Sequence, residues 1–332
     1  MLLNPAIISL ILGSLLITAF AFYASATALR ILKHWDIRSG SESQLALERK
    51  TYLISTVFSY LLGFEFFSLI LFVYNAEHIH HLFVGAMCAA GSLNVNDYGY
   101  VTLVFKILTF VLCGVWLIVN HADNRARDYP LIRPKYKLLI LLTIMIGLET
   151  FFQTNYFMGL RADVITSCCG TIFSENARSI TGQLAGLSPF GSKIVFFSAI
   201  LLTFRVGVHV LVTRRGAAVF GLLAGVTTLV SLSAVISFIS LYYYELPTHH
   251  CPFCLFQRDY HYIAYPLYIS LFLGGITGMG TGVLEGLKGP ESLLSVIPGL
   301  QRRLCLFSMA GFLIFVFIAV YPMIFSDFVL GL

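Results

Sequence analysis

Charge is what this sequence has least of. Asp, Glu, Lys and Arg make up 11% of its 332 residues, where a soluble domain carries about a quarter. No low-complexity segment or polar linker marks off a separate soluble domain. No G-x-x-x-x-G-K-[ST] phosphate loop occurs, which leaves ATP-driven transport by this chain alone unsupported. No Cys/His set has the complete spacing of a zinc finger. The formal charge of +5 is no nucleic-acid signal, because most basic residues sit in short loops between apolar runs. The tail before the first apolar run has no Lys or Arg, unlike a secretory n-region, and cleavage at Ala24-Ser25-Ala26 is not expected.

What is present in excess is apolar sequence, 58% of the chain. Long apolar runs recur from end to end, so the expected fold is an all-α polytopic membrane protein. The runs predict about eight transmembrane helices in a single integral membrane domain over 1–332. They fall near 5–28, 52–75, 101–119, 138–158, 193–212, 217–243, 262–284 and 304–326. The stretch Leu82–Ala90 is too short to span and reads as a re-entrant or interfacial turn. Fifteen Lys and Arg fall in the loops of one side, among them Arg30, Lys50, Arg125, Lys137, Arg214 and Arg303. Four fall on the other side: Arg161, Arg178, Lys193 and Arg258. The positive-inside rule then places both termini outside.

This orientation puts five of the seven cysteines on the outer side: Cys88, Cys168, Cys169, Cys251 and Cys254. Cys113 and Cys305 fall in or at the inner half of helices and read as packing residues. Three successive outer turns each carry cysteine, and the chemistry expected of them is thiol chemistry. His249-His250-Cys251-Pro252-Phe253-Cys254 is the strongest signal. If Leu255 onward is helical, both sulfurs lie at a helix start, where free N–H groups and neighbouring histidines favour a thiolate. Such a pair exchanges disulfides or supplies half a soft-metal site. The vicinal Cys168-Cys169 can close only a strained ring, so it reads as an easily reduced disulfide, two thiols with separate partners, one or two thiolates on a soft metal, or two chance neighbours. His78, His80, His81, His261, Glu77 and Met87 add possible ligands. Disulfides on an outer face fit the inner membrane of a bacterium, whose outer compartment is oxidising.

The run Cys251-Pro-Phe-Cys254-Leu-Phe-Gln257-Arg258, followed by Tyr265-Pro266-Leu267, resembles the C-x-x-C-x-x-Gln-Arg segment of the DsbB-type disulfide-bond formation proteins. The likeness covers about twenty residues. It implies electron passage from a periplasmic thiol partner to a membrane quinone. Cys251 and Cys254 would be the redox pair, with Arg258 and its neighbour Gln257 at the quinone. That family has four helices and a second cysteine pair in its last outer loop; here only Cys88 or Cys168-Cys169, upstream, could take that role.

Five residues within the apolar runs also need partners: Glu65, Glu149, Lys106, Arg205 and His209. Glu65 and Glu149 sit in similar settings, Gly63-Phe-Glu65-Phe-Phe67 and Gly147-Leu-Glu149-Thr-Phe151. They read as ion-pair partners of Lys106 or Arg205, or as a proton relay. Arg205 and His209 share a helical face. Tyr242, Tyr243, Tyr244, Tyr260, Tyr262 and Tyr265 read as the outer aromatic belt around the C-x-x-C, with the wall of a quinone pocket as the other reading.

The leading expectation is a quinone-linked thiol–disulfide oxidoreductase served by a periplasmic thioredoxin-like protein. Cys251 and Cys254 would carry it, with Cys88, Cys168 and Cys169 as a relay. The alternative is a protein that holds Cu(I) or another thiophilic metal on Cys88, Cys168, Cys169, Cys251, Cys254, His249 and His250, fed by a metallochaperone. A third is a structural membrane subunit with cysteine staples.

Overall fold

The computed structural model describes residues 3–37, 39–126, 128–162, 164–166, 180–328 and 330. Among them the regular structure is helical, apart from one isolated parallel bridge between Val84 and Ile165. The helices are α1 (Pro5–His34), α2 (Glu42–His78), α3 (Ala89–Leu93), α4 (Tyr98–Asp123), α5 (Ile132–Met158) and α6 (Ile180–Ala185). They continue as α7 (Pro189–Thr213), α8 (Ala217–Ala234), α9 (Ser240–Tyr244), α10 (Ala264–Gly286) and α11 (Ile297–Phe325). A π-helical turn, Val235–Ile239, joins α8 to α9 as one span. Among the described residues eight spans are long and apolar enough to cross a membrane, so this is a multi-pass membrane protein.

The helices outrun the apolar segments that betray them. α2 has 37 residues, about 55 Å at 1.5 Å per residue, where a hydrocarbon core is about 30 Å thick. Its added start, Glu42–Lys50, is rich in Glu, Gln, Leu, Ala and Lys, which are strong helix formers. Hydropathy marks where lipid ends, and the helix continues past that point.

The chain divides into two compact units. Unit 1 comprises Met1–Asn75, Asn96–Leu160 and Leu287–Ile297. Its core is built by α1, α2, α4 and α5, with Ile17, Ala21, Ala24, Ala28 and Ile31 forming the buried stripe of α1 at helical spacing. Phe58 meets Trp116 edge-on within that core, and Cys113 is buried there as a packing residue. Polar pairs join α1 to α5. Thr18 and Thr150, and Ser25 and Thr143, each lie at 2.7 Å, and Gln153 donates to Ser14 Oγ at 2.9 Å. Such bonds hold helices together where lipid offers no hydrophobic drive.

Unit 2 comprises Ala76–Val95, Arg161–Gly286 and Pro298–Leu332. Here α8 and α10 approach through small residues. A Cβ on Gly221 would stand 2.6 Å from the Gly282 Cα, and Gly278 faces Ala224. Cys305 packs with Val210, Ala217 and Phe220. Arg205 and His209 are exposed on α7.

Candidate thiol centre

Two loops of unit 2 build the centre. The first runs from the end of α2 to α3. Val84 is bridged to Ile165, and its carbonyl accepts the Thr166 N–H at 3.0 Å. Gly85 takes φ +87 against this segment, where a Cβ would meet the Thr166 carbonyl oxygen at 2.5 Å. Only glycine accepts both the left-handed backbone and that approach. Thr166 Oγ1 donates to the Gly91 carbonyl at 2.9 Å. The stretch Leu82–Ala90 is thus mostly a loop, running from the 3-10 turn His80–Leu82 into a short helix, α3, whose five residues are all buried. Cys88 is the residue that caps it.

The second loop leaves α9 and carries the C-x-x-C. The expected helix at Leu255 is absent. Cys254–Phe256 and Arg258–Tyr260 are single 3-10 turns, and α10 starts only at Ala264. Pro266 explains the delay. It sits in the first turn of α10, where its missing N–H costs nothing, whereas a helix begun at Leu255 would place it in the interior. His261 and Tyr262 adopt φ of 53° and 56°, which also breaks any helix there. The Cys251 and Cys254 sulfurs are therefore remote in sequence from a helix N-terminus. Arg258 is exposed in its 3-10 turn instead of standing one helical turn beyond Cys254.

The two loops bring Cys88, Cys251 and Cys254 together, with all three sulfurs within 4.8 Å of one another. Cys88 Sγ and Cys251 Sγ are 3.5 Å apart. The three residues are 0%, 1% and 5% exposed. Cys168 and Cys169 lie outside the described residues.

A single carboxylate aligns the loops. Glu77 Oε2 accepts the Ala89 N–H, next to Cys88, at 2.6 Å. Its Oε1 accepts from Gln257 Nε2 at 2.9 Å, and Gln257 also donates to the Met87 carbonyl at 2.8 Å. His80 bonds back to Glu77. His78 and His81 make ring contacts within the same turn, so none of these three histidines joins the sulfurs.

The paired histidines have different tasks. His249 places Nε2 3.4 Å from Cys254 Sγ, with its ring edge-on to Tyr244 at 4.5 Å. Burial pushes the His249 pKa below its ordinary value; the Cys88 thiol works the other way, and His250 adds to the lowering. His250 turns to the π-turn. Ser240 N–H returns to the Val235 carbonyl, and the Ile236 carbonyl accepts from His250 Nδ1 at 2.9 Å. Because a carbonyl can only accept, Nδ1 carries the proton. His250 Nε2 is buried and without a hydrogen-bond partner.

Aromatic rings roof the loop. Tyr244 donates to the Cys251 carbonyl at 2.5 Å, and Tyr260 meets Tyr244 at 4.7 Å. Burial raises the Tyr260 pKa, and Cys254 and Asp259 add to the rise. Beyond Tyr260 opens a cavity of about 360 Å³ lined by Tyr243, Asp259, His261, Phe317 and Tyr321.

The donor set suits a soft cation. Sulfurs bound at about 2.3 Å around one tetrahedral ion stand about 3.8 Å apart, which the observed spacing brackets. Sequence reasoning identified all three thiols. It missed the strut role of Gln257 and the carbonyl partner of His250, since both are set by residues far away in the chain. Comparison with protein-family models, with curated proteins and with solved structures found no match to this chain.

Proposed function

We propose that this protein holds a thiophilic metal ion, Cu(I) or Zn(II) in class, on Cys88, Cys251 and Cys254. It does so on the outer face of a bacterial inner membrane, receiving the ion from a periplasmic metallochaperone. The observation that carries the reading is three sulfurs within 4.8 Å of one another, each nearly or fully buried. Soft thiolates in a closed setting select such ions. Burial also disfavours the rival chemistry, because a partner protein's disulfide must reach a sulfur to exchange with it. His249, whose charged form burial disfavours, supplies a nitrogen beside Cys254 that either completes the donor set or accepts the thiol proton. Metal binding would release the thiol protons, so affinity rises with pH.

The test is metal analysis of anaerobically purified full-length protein together with thiol counting by mass spectrometry. One soft ion per chain is expected, lost alike in Cys88→Ser, Cys251→Ser and Cys254→Ser. Interconvertible disulfides with no stoichiometric metal would overturn this reading and establish the second one.

That second reading is thiol–disulfide exchange linked to a quinone, favoured by the 3.5 Å contact between Cys88 and Cys251. A Cys88 thiolate attacking a Cys251–Cys254 disulfide at Cys251 would expel the Cys254 thiolate. A dithiol of the periplasmic partner would reduce the chain's disulfide and leave oxidised, and the aromatic cavity beyond Tyr260 would admit the quinone ring that takes the two electrons and two protons when the chain's dithiol closes to a disulfide again.

A further inference from the structure

Unit 1 buries three ionisable side chains together. Lys106 of α4 donates through Nζ to Ser68 Oγ at 2.6 Å and to Glu149 Oε1 of α5 at 2.7 Å. Glu65 of α2 completes the group, with its carboxyl in hydrogen-bonding reach of Glu149's. Lys106, Glu149 and Glu65 are 2%, 1% and 3% exposed. Glu65 Oε1 and Glu149 Oε2 are buried and meet no donor.

A second buried pair in the same unit shows what is unusual here. Lys135 bonds to Asp123 Oδ2, and Asp123 Oδ1 accepts the Leu131 N–H at 2.8 Å. One cation faces one anion, and both carboxylate oxygens are satisfied. Around Lys106 one ammonium faces two carboxyls. Two ionised carboxylates only accept hydrogen bonds, so contact between them calls for a proton. Like charges at such range in a low-dielectric setting do not both ionise. Other facing groups do not supply the missing charge. α4 adds Cys113, in electrostatic reach of both carboxyls, and the buried, unpartnered hydroxyl of Thr109. α1 has no ionisable residue between Pro5 and Phe22 and presents hydroxyls, Ser14 and Thr18, that are bonded to Gln153 and Thr150.

We propose that Glu65 and Glu149 share one exchangeable proton, making a proton-binding site within the membrane-spanning part of unit 1. Lys106 neutralises one carboxylate and the proton neutralises the other. The two unpartnered carboxyl oxygens and the Thr109 hydroxyl are the positions where water would hand the proton on. The site stands independently of the thiol centre.

The test uses full-length protein in lipid nanodiscs. Infrared spectra at neutral pH should show a protonated-carboxyl band that shifts in D₂O and is lost in Glu65→Gln. A hydrophobic carbodiimide, which attacks protonated carboxyls, should label Glu65 or Glu149, with labelling lost at alkaline pH. Glu65→Gln keeps the shape and a donor toward Glu149; should it fail to fold, the wild-type D₂O shift and the adduct still decide. No acid band at neutral pH, or a band that Glu65→Gln leaves intact, overturns the proposal. So does labelling that Na⁺ or K⁺ suppresses at constant pH, which would mark a metal-cation site instead.

Discussion

Gln257 donates its amide to Glu77 at 2.9 Å across 180 residues of sequence. The same glutamate accepts the Ala89 N–H beside Cys88. One carboxylate therefore sets the distance between the loop that bears Cys88 and the loop that bears the C-x-x-C. The glutamine of the C-x-x-C-x-x-Gln-Arg run acts here as a strut, three residues beyond Cys254.

Removing that strut should open the centre before it unfolds the protein. Gln257→Leu leaves the Met87 carbonyl without this donor and Glu77 Oε1 with only the 3.5 Å contact to His80 Nδ1, at about 1–3 kcal/mol for each group that stays dry. The expected result is faster alkylation of Cys88 and lower metal occupancy, with helix content unchanged. Alkylation followed by mass spectrometry, with circular dichroism alongside, measures both.

Acidification should loosen the same loop through His249. Burial holds its folded pKa below the ordinary value of about 6.5. Between those two values the unfolded loop binds more protons than the folded one, so stability rises with pH there. The contribution is complete above about 6.5 and is lost as pH falls through the folded value. Hydrogen exchange over residues 245–262, corrected for the intrinsic pH dependence of amide exchange, should therefore lose protection as pH falls from about 6.5 to the folded value. His249→Phe keeps a ring against Tyr244 and should abolish the pH dependence; a persistent dependence would point to another group.

The buried pair of Asp123 and Lys135 should be costly to break from one side. Lys135→Met strips Asp123 of its counter-charge and leaves only the Leu131 N–H. A loss of about 3–5 kcal/mol is expected. Asp123→Asn combined with Lys135→Met should lose less than the single change, because no buried charge remains. Thermal unfolding in detergent compares the two.

Helix contact in unit 2 depends on Gly221. Its hydrogen stands where a Cβ would be 2.6 Å from the Gly282 Cα, and backbone cannot move aside as a side chain can. Gly221→Val should destabilise by overpacking, by about 1–3 kcal/mol. Gly225→Ala, where a Cβ would meet only Met279 at 3.5 Å, should be close to neutral in the same assay.

The orientation proposed from the charge asymmetry can be read with impermeant maleimide on intact spheroplasts. Leu246→Cys lies at an exposed position beyond α9, and Arg214→Cys lies at the other end of the adjacent span. Labelling of the first without permeabilisation, and of the second only after it, is expected. The reverse pattern would put the thiol centre on the cytoplasmic side and remove the periplasmic chaperone from the proposal.

That this is a helical multi-pass membrane protein follows from the sequence alone, because a bilayer demands apolar runs of a fixed length and few other folds use them. It also singled out the cysteines, whose chemistry is legible from residue type. It placed helix ends poorly, since Glu42–Lys50 extends α2 well beyond the apolar run. Its local reading of the C-x-x-C as a helix start failed for a reason visible only in three dimensions. The segment folds around Glu77, Met87 and Tyr244, and their hydrogen bonds replace those a helix would have made. Which thiols meet, that His250 turns to the Ile236 carbonyl while His249 turns to Cys254, and that Lys106 faces two carboxyls were all decided by tertiary structure. Each depends on groups between about 5 and 180 residues apart, and periodicity carries no record of such distances.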